Sequence, residues 1–247
     1  MISFLPISEI RIGAVVLQTW GVFVALGFVS ALFLSLREAR RRRIEEGAVW
    51  DAMIIALLAM IVGGRLLYFC LDADRDVSVL IDPHGGFSLM GGAMAAGALL
   101  YLYLARRRQD VGKFMDAMTP GIVVALILVR VGCFLVNDHV GAVTTGPLAV
   151  RYIDGTLRHP VALYHILFLV AIYAIIAKVK AKRNRNGYLF FSFCRLYAAL
   201  GFFADFSRCH DLGVCDPHLY GLTAAQWLLL LFLAASGYIK KRCFDRK

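Results

Sequence analysis

Long apolar segments alternate with short polar ones along the whole chain. The apolar segments lie near residues 13–36, 49–71, 86–105, 117–137, 161–179, 188–206 and 222–239. A helix of ~20 apolar residues is long enough to cross the hydrocarbon core of a bilayer. The pattern therefore predicts an all-α fold, with seven transmembrane helices that form one polytopic membrane domain over residues 1–247.

Composition favours a membrane protein over a soluble one. Apolar side chains make up 60% of the 247 residues, and the mean hydropathy is +0.70. Soluble globular domains contain roughly 45–50% apolar residues. Buried core helices of a soluble protein would explain one or two such segments, but not the whole series.

Basic residues are distributed unevenly between the apolar segments. The formal net charge is +10, and most of the 27 Lys and Arg residues lie in segments 37–43, 106–113, 178–185 and 240–247. These are alternate junctions, and cytoplasmic junctions carry such an excess. We therefore predict an outside N-terminus and a cytoplasmic C-terminus, with the basic clusters facing anionic headgroups rather than nucleic acid.

Two arginines fall deep inside predicted spans. Arg65 and Arg130 each lie ~9–10 Å from the outer end of their segment, at ~1.5 Å per residue. An ionised side chain at membrane depth is unfavourable by ~2.5–3.5 kcal/mol, so it needs a polar partner or cavity. A helix carbonyl is one candidate partner for Arg65. Because Asp205 and Arg208 lie three residues apart at the outer end of span 6, we favour one polar cavity open to the outer leaflet.

Glycine-rich stretches occur in spans 2 and 3, as "VGGRLLY" and "HGGFSLMGGAMAAG". Small residues such as Gly91 and Gly92 permit close helix packing, and they also let backbone N–H groups reach an anion. Both explanations fit the sequence. Together with the deep arginines, the glycines point to a lipid phosphate as ligand, since guanidinium binds phosphate through two parallel hydrogen bonds.

The longest predicted outer loop covers residues 138–160 and is expected to lie over the site. Its piece "LAVRYID" alternates apolar and polar residues, which predicts a short strand or a lip over the cavity. Pro160 suits the first turn of the following helix. His159 and Tyr164 would then lie at the mouth of the cavity.

The cysteines show no metal-binding spacing. Cys209 and Cys215 lie near the predicted outer face, where disulfides persist, and both a bridge and two free thiols are compatible with the sequence. No metal and no cofactor are expected.

Five separated segments together resemble the prolipoprotein diacylglyceryl transferase family. They are "GGRLLY", "GGFSLMGG", "RVGCFLVNDHVG", "RHPVALYH" and "ADFSRCHD", in this order over nearly the whole chain. The family's enzymes work at the outer face of the bacterial inner membrane. They move diacylglycerol from phosphatidylglycerol to the lipobox cysteine thiol of a prolipoprotein and release glycerol phosphate.

The resemblance implies roles for individual residues. Candidates for the chemical step are Arg130, Asp138, His139 and Asp205. Candidates for substrate binding are Arg65, Gly91, Gly92, Asn137, Gly141, His159, Tyr164 and Arg208. Arg130 and Arg65 would contact the phosphate, while Asp138 and Gly141 would shape the place where the thiol arrives. Asp211 would occupy the position of the aspartate at the end of the corresponding family segment.

Several positions depart from the family pattern. Where the family has His, Asn, Asn, Tyr, Arg and Glu, this chain has Met90, Cys133, Val136, Trp20, Gly201 and His165. Met90 cannot accept a proton, so His139 or His84 would have to serve as the base for the thiol.

Three functions remain open at this level. The first is the family's own transfer from phosphatidylglycerol or another anionic phospholipid to a prolipoprotein signal peptide. The second keeps the phospholipid site but uses a different acceptor, with Cys133 as candidate nucleophile. The third, a small membrane transporter, is disfavoured because the polar groups gather at the outer side rather than at the midplane.

Overall fold

The computed structural model describes residues 6–13, 15–71, 77–80, 86, 88–138, 140–152, 155–180, 185–209, 211, 215 and 218–243. Within these ranges the chain is built from α-helices, and the predicted all-α class is confirmed. The helices are α1 Thr19–Arg42, α2 Glu46–Leu71, α3 Leu89–Arg106, α4 Val111–Val136, α5 Val161–Lys180, α6 Tyr188–Ala204 and α7 Ala224–Cys243. Two 3₁₀ helices, Val77–Leu80 and Asp205–Ser207, lie between them.

Six helices, α1 to α6, are long and apolar enough to cross a membrane. The chain is therefore a polytopic membrane protein, as its hydropathy pattern predicts. The apolar part of α7, Ala224–Ile239, is shorter than these six. A seventh crossing accordingly stays a prediction.

The first apolar segment is divided between two kinds of structure. Strands β1 Glu9–Ile12 and β2 Val15–Gln18 form an antiparallel hairpin, and α1 begins only at Thr19. The prediction of one helix from residue 13 was wrong at this end, because hydropathy counts apolar strand residues in the same way as helical ones. Gly13, with a φ of +62°, lies in the turn, a conformation that glycine adopts without steric strain.

The chain divides into two compact units, Ser35–Ala117 and a unit made of Met1–Leu34 with Met118–Lys247. In the first unit, α2 and α3 pack closely through glycines. A Cβ on Gly91 would overlap Gly63 and Leu67, and a Cβ on Gly92 would lie 2.8 Å from the Met60 carbonyl oxygen. These contacts support the packing explanation for the glycine-rich stretches.

The second unit has its core between α4, α5 and α6. Its buried members are Val123, Leu169, Ile172, Ile176, Leu189 and Phe193. The glycines of α1 and α4 again mark close approaches, since a Cβ on Gly27 would lie 3.1 Å from the Ala125 carbonyl oxygen. Between membrane helices such side chains stabilise the unit through van der Waals packing, because lipid is as apolar as the core.

The segment before α7 is fixed by a reciprocal cap. The Thr223 Oγ1 accepts from the Gln226 N–H at 3.1 Å, and the Gln226 Oε1 accepts from the Thr223 N–H at 2.9 Å. This is a capping box, which satisfies two N–H groups at a helix start. Strands β5 His218–Leu219 and β6 Leu222–Thr223 form the hairpin that leads into it.

The predicted strand in the loop 138–160 is present in part. Strand β3 Val150–Arg151 pairs antiparallel with β4 Leu157–Arg158. Helix α5 begins at Val161, immediately after Pro160, as expected for a proline at a helix start. That this loop covers a site stays a prediction.

Candidate functional site

Three segments that are distant in sequence lie side by side at the ends of α4 and α6. The Ala142 N–H donates to the Ser207 carbonyl at 2.9 Å, and the His159 N–H donates to the Ala142 carbonyl at 3.0 Å. Gly141 and Val143 form β-bridges with Arg208 and Arg158 respectively. We call residues 140–144, 157–159 and 207–209 the outer layer. Three of the resembling motifs therefore meet in it.

Gly141 lies at the tightest point of the outer layer. A Cβ at this position would overlap the carbonyl group of His159. Only glycine therefore lets the two segments come close enough to pair. The requirement for glycine has a structural cause here, independent of any ligand.

Arg158 joins the outer layer to the segment that follows it. The side chain is only 3% exposed, and its two terminal nitrogens lie 3.0 and 2.8 Å from the Asp211 carboxylate oxygens. Nη1 also donates to the Gly141 carbonyl at 3.1 Å, and Nε donates to the Thr156 hydroxyl at 2.9 Å. This guanidinium is thus engaged by protein groups on both edges, a role that sequence reasoning missed.

Asp205 is buried at the end of α6 and is held by its neighbour. The Arg208 Nε donates to Asp205 Oδ1 at 2.8 Å. On the other side, Nε2 of the buried His165 lies 3.7 Å from the same oxygen, too far for a hydrogen bond. This nitrogen has no hydrogen-bond partner. Asp205 and Arg208, three residues apart in the sequence, therefore form an ion pair at the end of α6.

Arg130 is half-buried on α4, deep in a predicted span. Its guanidinium lies beside the Cys133 thiol, and so does the Trp20 side chain. In the part of the chain that the structure describes, Arg130 forms no ion pair with a carboxylate. A charge at membrane depth normally has an ionic partner or a polar cavity, and the described residues supply no carboxylate for this one.

The C-terminus of α4 carries the polar residues of the signature segment. Asn137 has a φ of +59°, and the N–H groups of Asn137 and Asp138 donate to Phe134 and Cys133 at 3.2 and 3.0 Å. Asparagine tolerates this left-handed conformation better than most residues, so Asn137 acts as a helix cap. Asp138 is exposed beyond it.

A small cavity lies next to this cap. It has a volume of about 10 Å³ and is lined in part by Cys133, Asn137, Asp138 and Tyr152, which is close to the space that one water molecule needs. Burial raises the pKa of Tyr152. The phenol therefore stays protonated at neutral pH and can donate a hydrogen bond there.

Comparison with known proteins settles the family. The family model for prolipoprotein diacylglyceryl transferase matches residues 8–240. The chain belongs to the prolipoprotein diacylglyceryl transferase family. It is 27% identical to the phosphatidylglycerol–prolipoprotein diacylglyceryl transferase of Streptococcus mutans, over 92% of this chain and 91% of that protein. The enzymes of that name from Pediococcus pentosaceus and Listeria innocua are 26% and 25% identical, over 93% and 94% of this chain and 87% and 88% of theirs.

These matches confirm the family and the transferase class that the motifs predicted. The individual site residues remain predictions, and the structure states only where they lie. Arg130, Asn137, Asp138, Gly141, His159, Tyr164, Asp205 and Arg208 belong to the same compact unit. His159 Nδ1 lies 2.9 Å from the Tyr164 hydroxyl, which links the start of α5 to the outer layer. His139 and the alternative base His84 lie outside the described residues.

Arg65, Gly91 and Gly92 belong to the other unit, Ser35–Ala117. The Arg65 Nη1 donates to the Gly86 carbonyl at 3.1 Å, so this arginine has a carbonyl contact, although not one within a helix. The Gly91 N–H donates to the Ser88 hydroxyl at 3.3 Å as part of the cap of α3. A shared cavity for Arg65 and Arg130, and an anion at Gly91 and Gly92, stay predictions.

Cys209 and Cys215 are joined by a disulfide. Of the two possibilities that the sequence left open, the bridge is the one formed. Asp211 lies between the two cysteines in the chain. The bridge therefore closes a short loop around the carboxylate that pairs with Arg158.

Proposed function

We propose that this protein transfers the diacylglyceryl group of phosphatidylglycerol to the lipobox cysteine thiol of a prolipoprotein. Family membership supports the reaction class, and the names of the relatives supply the donor and the acceptor. The observation that carries the proposal is the half-buried Arg130, which lacks a carboxylate partner among the described residues. An anionic phosphodiester would supply the missing negative charge.

Arg130 would bind the phosphate of the lipid through its guanidinium fork. The prolipoprotein sulfur then forms a bond to the terminal glyceryl carbon, and the bond between that carbon and the phosphate oxygen breaks. The electron pair of this bond stays on glycerol phosphate, which leaves with one more negative charge. Fixed positive charge next to the departing oxygen stabilises the transition state more than the ground state.

The remaining site residues take supporting roles in this proposal. Arg208, held by Asp205, would lie beside the phosphate. Asp138 and His139 would face the incoming thiol, which needs a base. Asn137, Gly141, His159 and Tyr164 would shape the mouth of the site.

The membrane arrangement is part of the same proposal. Seven crossings, with α7 as the last, would put the N-terminus outside and the C-terminus in the cytoplasm, consistent with the distribution of basic residues. The outer layer would then face the outer leaflet of the bacterial inner membrane, where a signal peptide arrives.

A second candidate function keeps the donor and changes the acceptor. It is favoured by Met90, which replaces the histidine of the family and is 38% exposed in the first turn of α3. If no other group takes over the proton, a thiol acceptor reacts slowly and a different acceptor becomes the physiological one.

A transfer assay separates the two functions. The purified protein in phosphatidylglycerol micelles receives a lipobox peptide, and glycerol phosphate release and the peptide mass are measured. A matched peptide with serine in place of the cysteine is the control. The proposal expects glycerol phosphate release with a diacylglyceryl mass increase on the cysteine peptide only. Glycerol phosphate release without thiol modification would establish the changed acceptor instead.

A further inference from the structure

His165 occupies an unusual environment for a histidine. Its side chain is 4% exposed, and Nε2 has no hydrogen-bond partner although it faces the Asp205 carboxylate at 3.7 Å. A buried polar nitrogen without a partner destabilises the fold, because it gives up its hydrogen bond to water and gains none in return. Such a group is uncommon in folded proteins and calls for an explanation.

Three charged side chains act on the imidazole. They are Asp205 and Arg208, from the segment at the end of α6, and Arg130 from α4. With His165 neutral, these three groups carry a net charge of +1, the sum of two guanidinium groups and one carboxylate. A phosphodiester carries one negative charge, so the bound lipid would offset this charge of +1.

Turnover disturbs that balance by one charge. The phosphodiester becomes a phosphomonoester with a second ionisable oxygen, and the thiol gives up its proton. In a medium of low dielectric constant, an uncompensated charge is strongly unfavourable. A proton acceptor inside the group of charges restores the balance, and the ring nitrogen of a neutral imidazole that carries no hydrogen is such an acceptor.

We propose that His165 holds the thiol proton at Nε2 during the transfer, receiving it from the base that faces the thiol by way of the Asp205 carboxylate, and so balances the charge of the product. This inference rests on the proposed function and specifies how its site handles the proton. In each cycle the sulfur–carbon bond forms, the carbon–oxygen bond breaks, and one proton resides on His165 until glycerol phosphate leaves. His165 touches neither substrate, so it is a positioning residue that acts through Asp205.

Two substitutions test this role. His165→Gln keeps a polar side chain of similar size but cannot accept a proton, and we expect kcat to fall by about 10²-fold at pH 7 with an unchanged KM for phosphatidylglycerol. The fall in kcat at acidic pH that titration of His165 produces is lost in this variant. His165→Glu restores a proton acceptor and retains more activity than His165→Gln. His218→Gln, the same substitution in the hairpin before α7, is the matched control with wild-type kinetics.

A binding measurement gives a readout that does not depend on turnover. Glycerol phosphate is titrated into the full-length protein in detergent at pH 8, where this ligand is a dianion, in buffers of different ionisation enthalpy. We expect proton uptake by the wild type and none by His165→Gln.

The outcomes distinguish a failure of the proton role of His165 from a failure of the proposed transfer function. If His165→Gln keeps the wild-type kcat, pH profile and proton uptake, the proton role is wrong and the transfer reaction stands. If the wild type neither transfers the lipid nor binds glycerol phosphate, the proposed function itself is wrong, and the role of His165 falls with it.

Discussion

Two arginines of the same compact unit, Arg158 and Arg130, are treated in opposite ways. Arg158 is buried in the outer layer and its guanidinium contacts a carboxylate, a carbonyl and a hydroxyl. Arg130 is half-buried in α4, and within the described ranges it forms no ion pair. The first arrangement is complete without a ligand, whereas the second leaves a positive charge for one. The difference separates a residue that maintains the fold from a residue that we assign to binding.

Gly141 offers the strongest test of the outer layer as a structural element. Gly141→Ala should lower the free energy of unfolding by about 3 kcal/mol, because the added methyl group forces apart two paired segments. Thermal unfolding in detergent measures the effect. Gly21→Ala is the matched control, since a Cβ at Gly21 would meet no atom within 4 Å. Equal stability of the two variants would show that residues 140–144 and 157–159 do not pack as described.

Arg158 should make the next largest contribution to stability. Arg158→Met keeps much of the side-chain volume but removes every hydrogen bond, and we expect a loss of about 2 kcal/mol. The loss stays below that of a fully buried pair because Asp211 is 44% exposed and can be solvated. A double-mutant cycle with Asp211→Asn measures the coupling, and additive effects would contradict the pairing.

The disulfide should contribute a similar or slightly smaller amount. Cys209 and Cys215 are six residues apart, and closure of so short a loop stabilises a folded chain by about 2 kcal/mol. We expect Cys209→Ser/Cys215→Ser, and wild type treated with reductant, to unfold at the same lower temperature. A further decrease when the double variant is reduced would contradict the assignment, because Cys70, Cys133 and Cys194, the other cysteines whose side chains the structure describes, are free thiols.

Tyr152 should have the smallest effect, confined to alkaline pH. Its pKa is raised by burial in the folded protein, so the unfolded chain loses the phenolic proton first. The contribution to stability is complete below about pH 10 and decreases as the pH rises above it. The wild-type decrease begins at roughly the ordinary phenol pKa, which is that of the unfolded chain. Tyr152→Phe should therefore lose less stability than wild type between pH 9 and pH 11. If the free energy of unfolding decreased equally in both proteins at alkaline pH, the Tyr152 phenol would be exposed to solvent rather than buried.

Much of the fold is readable from the pattern of apolar residues. Helices α2 to α6 begin and end within a few residues of the apolar segments, because a run of ~20 apolar residues has few alternatives in a membrane. The hairpin Glu9–Gln18 cannot be predicted from the apolar pattern, because its apolar strand residues contribute to the same hydropathy signal as α1. The apolar part of α7, Ala224–Ile239, nearly coincides with the predicted segment 222–239, and a seventh crossing stays a prediction.

Candidate site residues could be named from the sequence, but not the contacts that they make. The motifs gave Arg130, Asp205 and Arg208 as candidates, and the structure adds that the last two form an ion pair. The pair Arg158–Asp211 spans 53 positions in the sequence, and no local pattern connects residues so far apart. His165 was noted only as a departure from the family, because burial and a missing hydrogen-bond partner are properties of the folded chain alone.

The central claim is that Arg130 serves the ligand and Arg158 serves the fold. The most direct test measures both lipid transfer and thermal unfolding for Arg130→Gln and Arg158→Gln in the same detergent preparation. We predict that Arg130→Gln loses transfer by about 10²-fold or more and unfolds at or above the wild-type temperature, whereas Arg158→Gln unfolds several degrees lower. Full transfer activity in Arg130→Gln, or a stability loss equal to that of Arg158→Gln, would contradict the account.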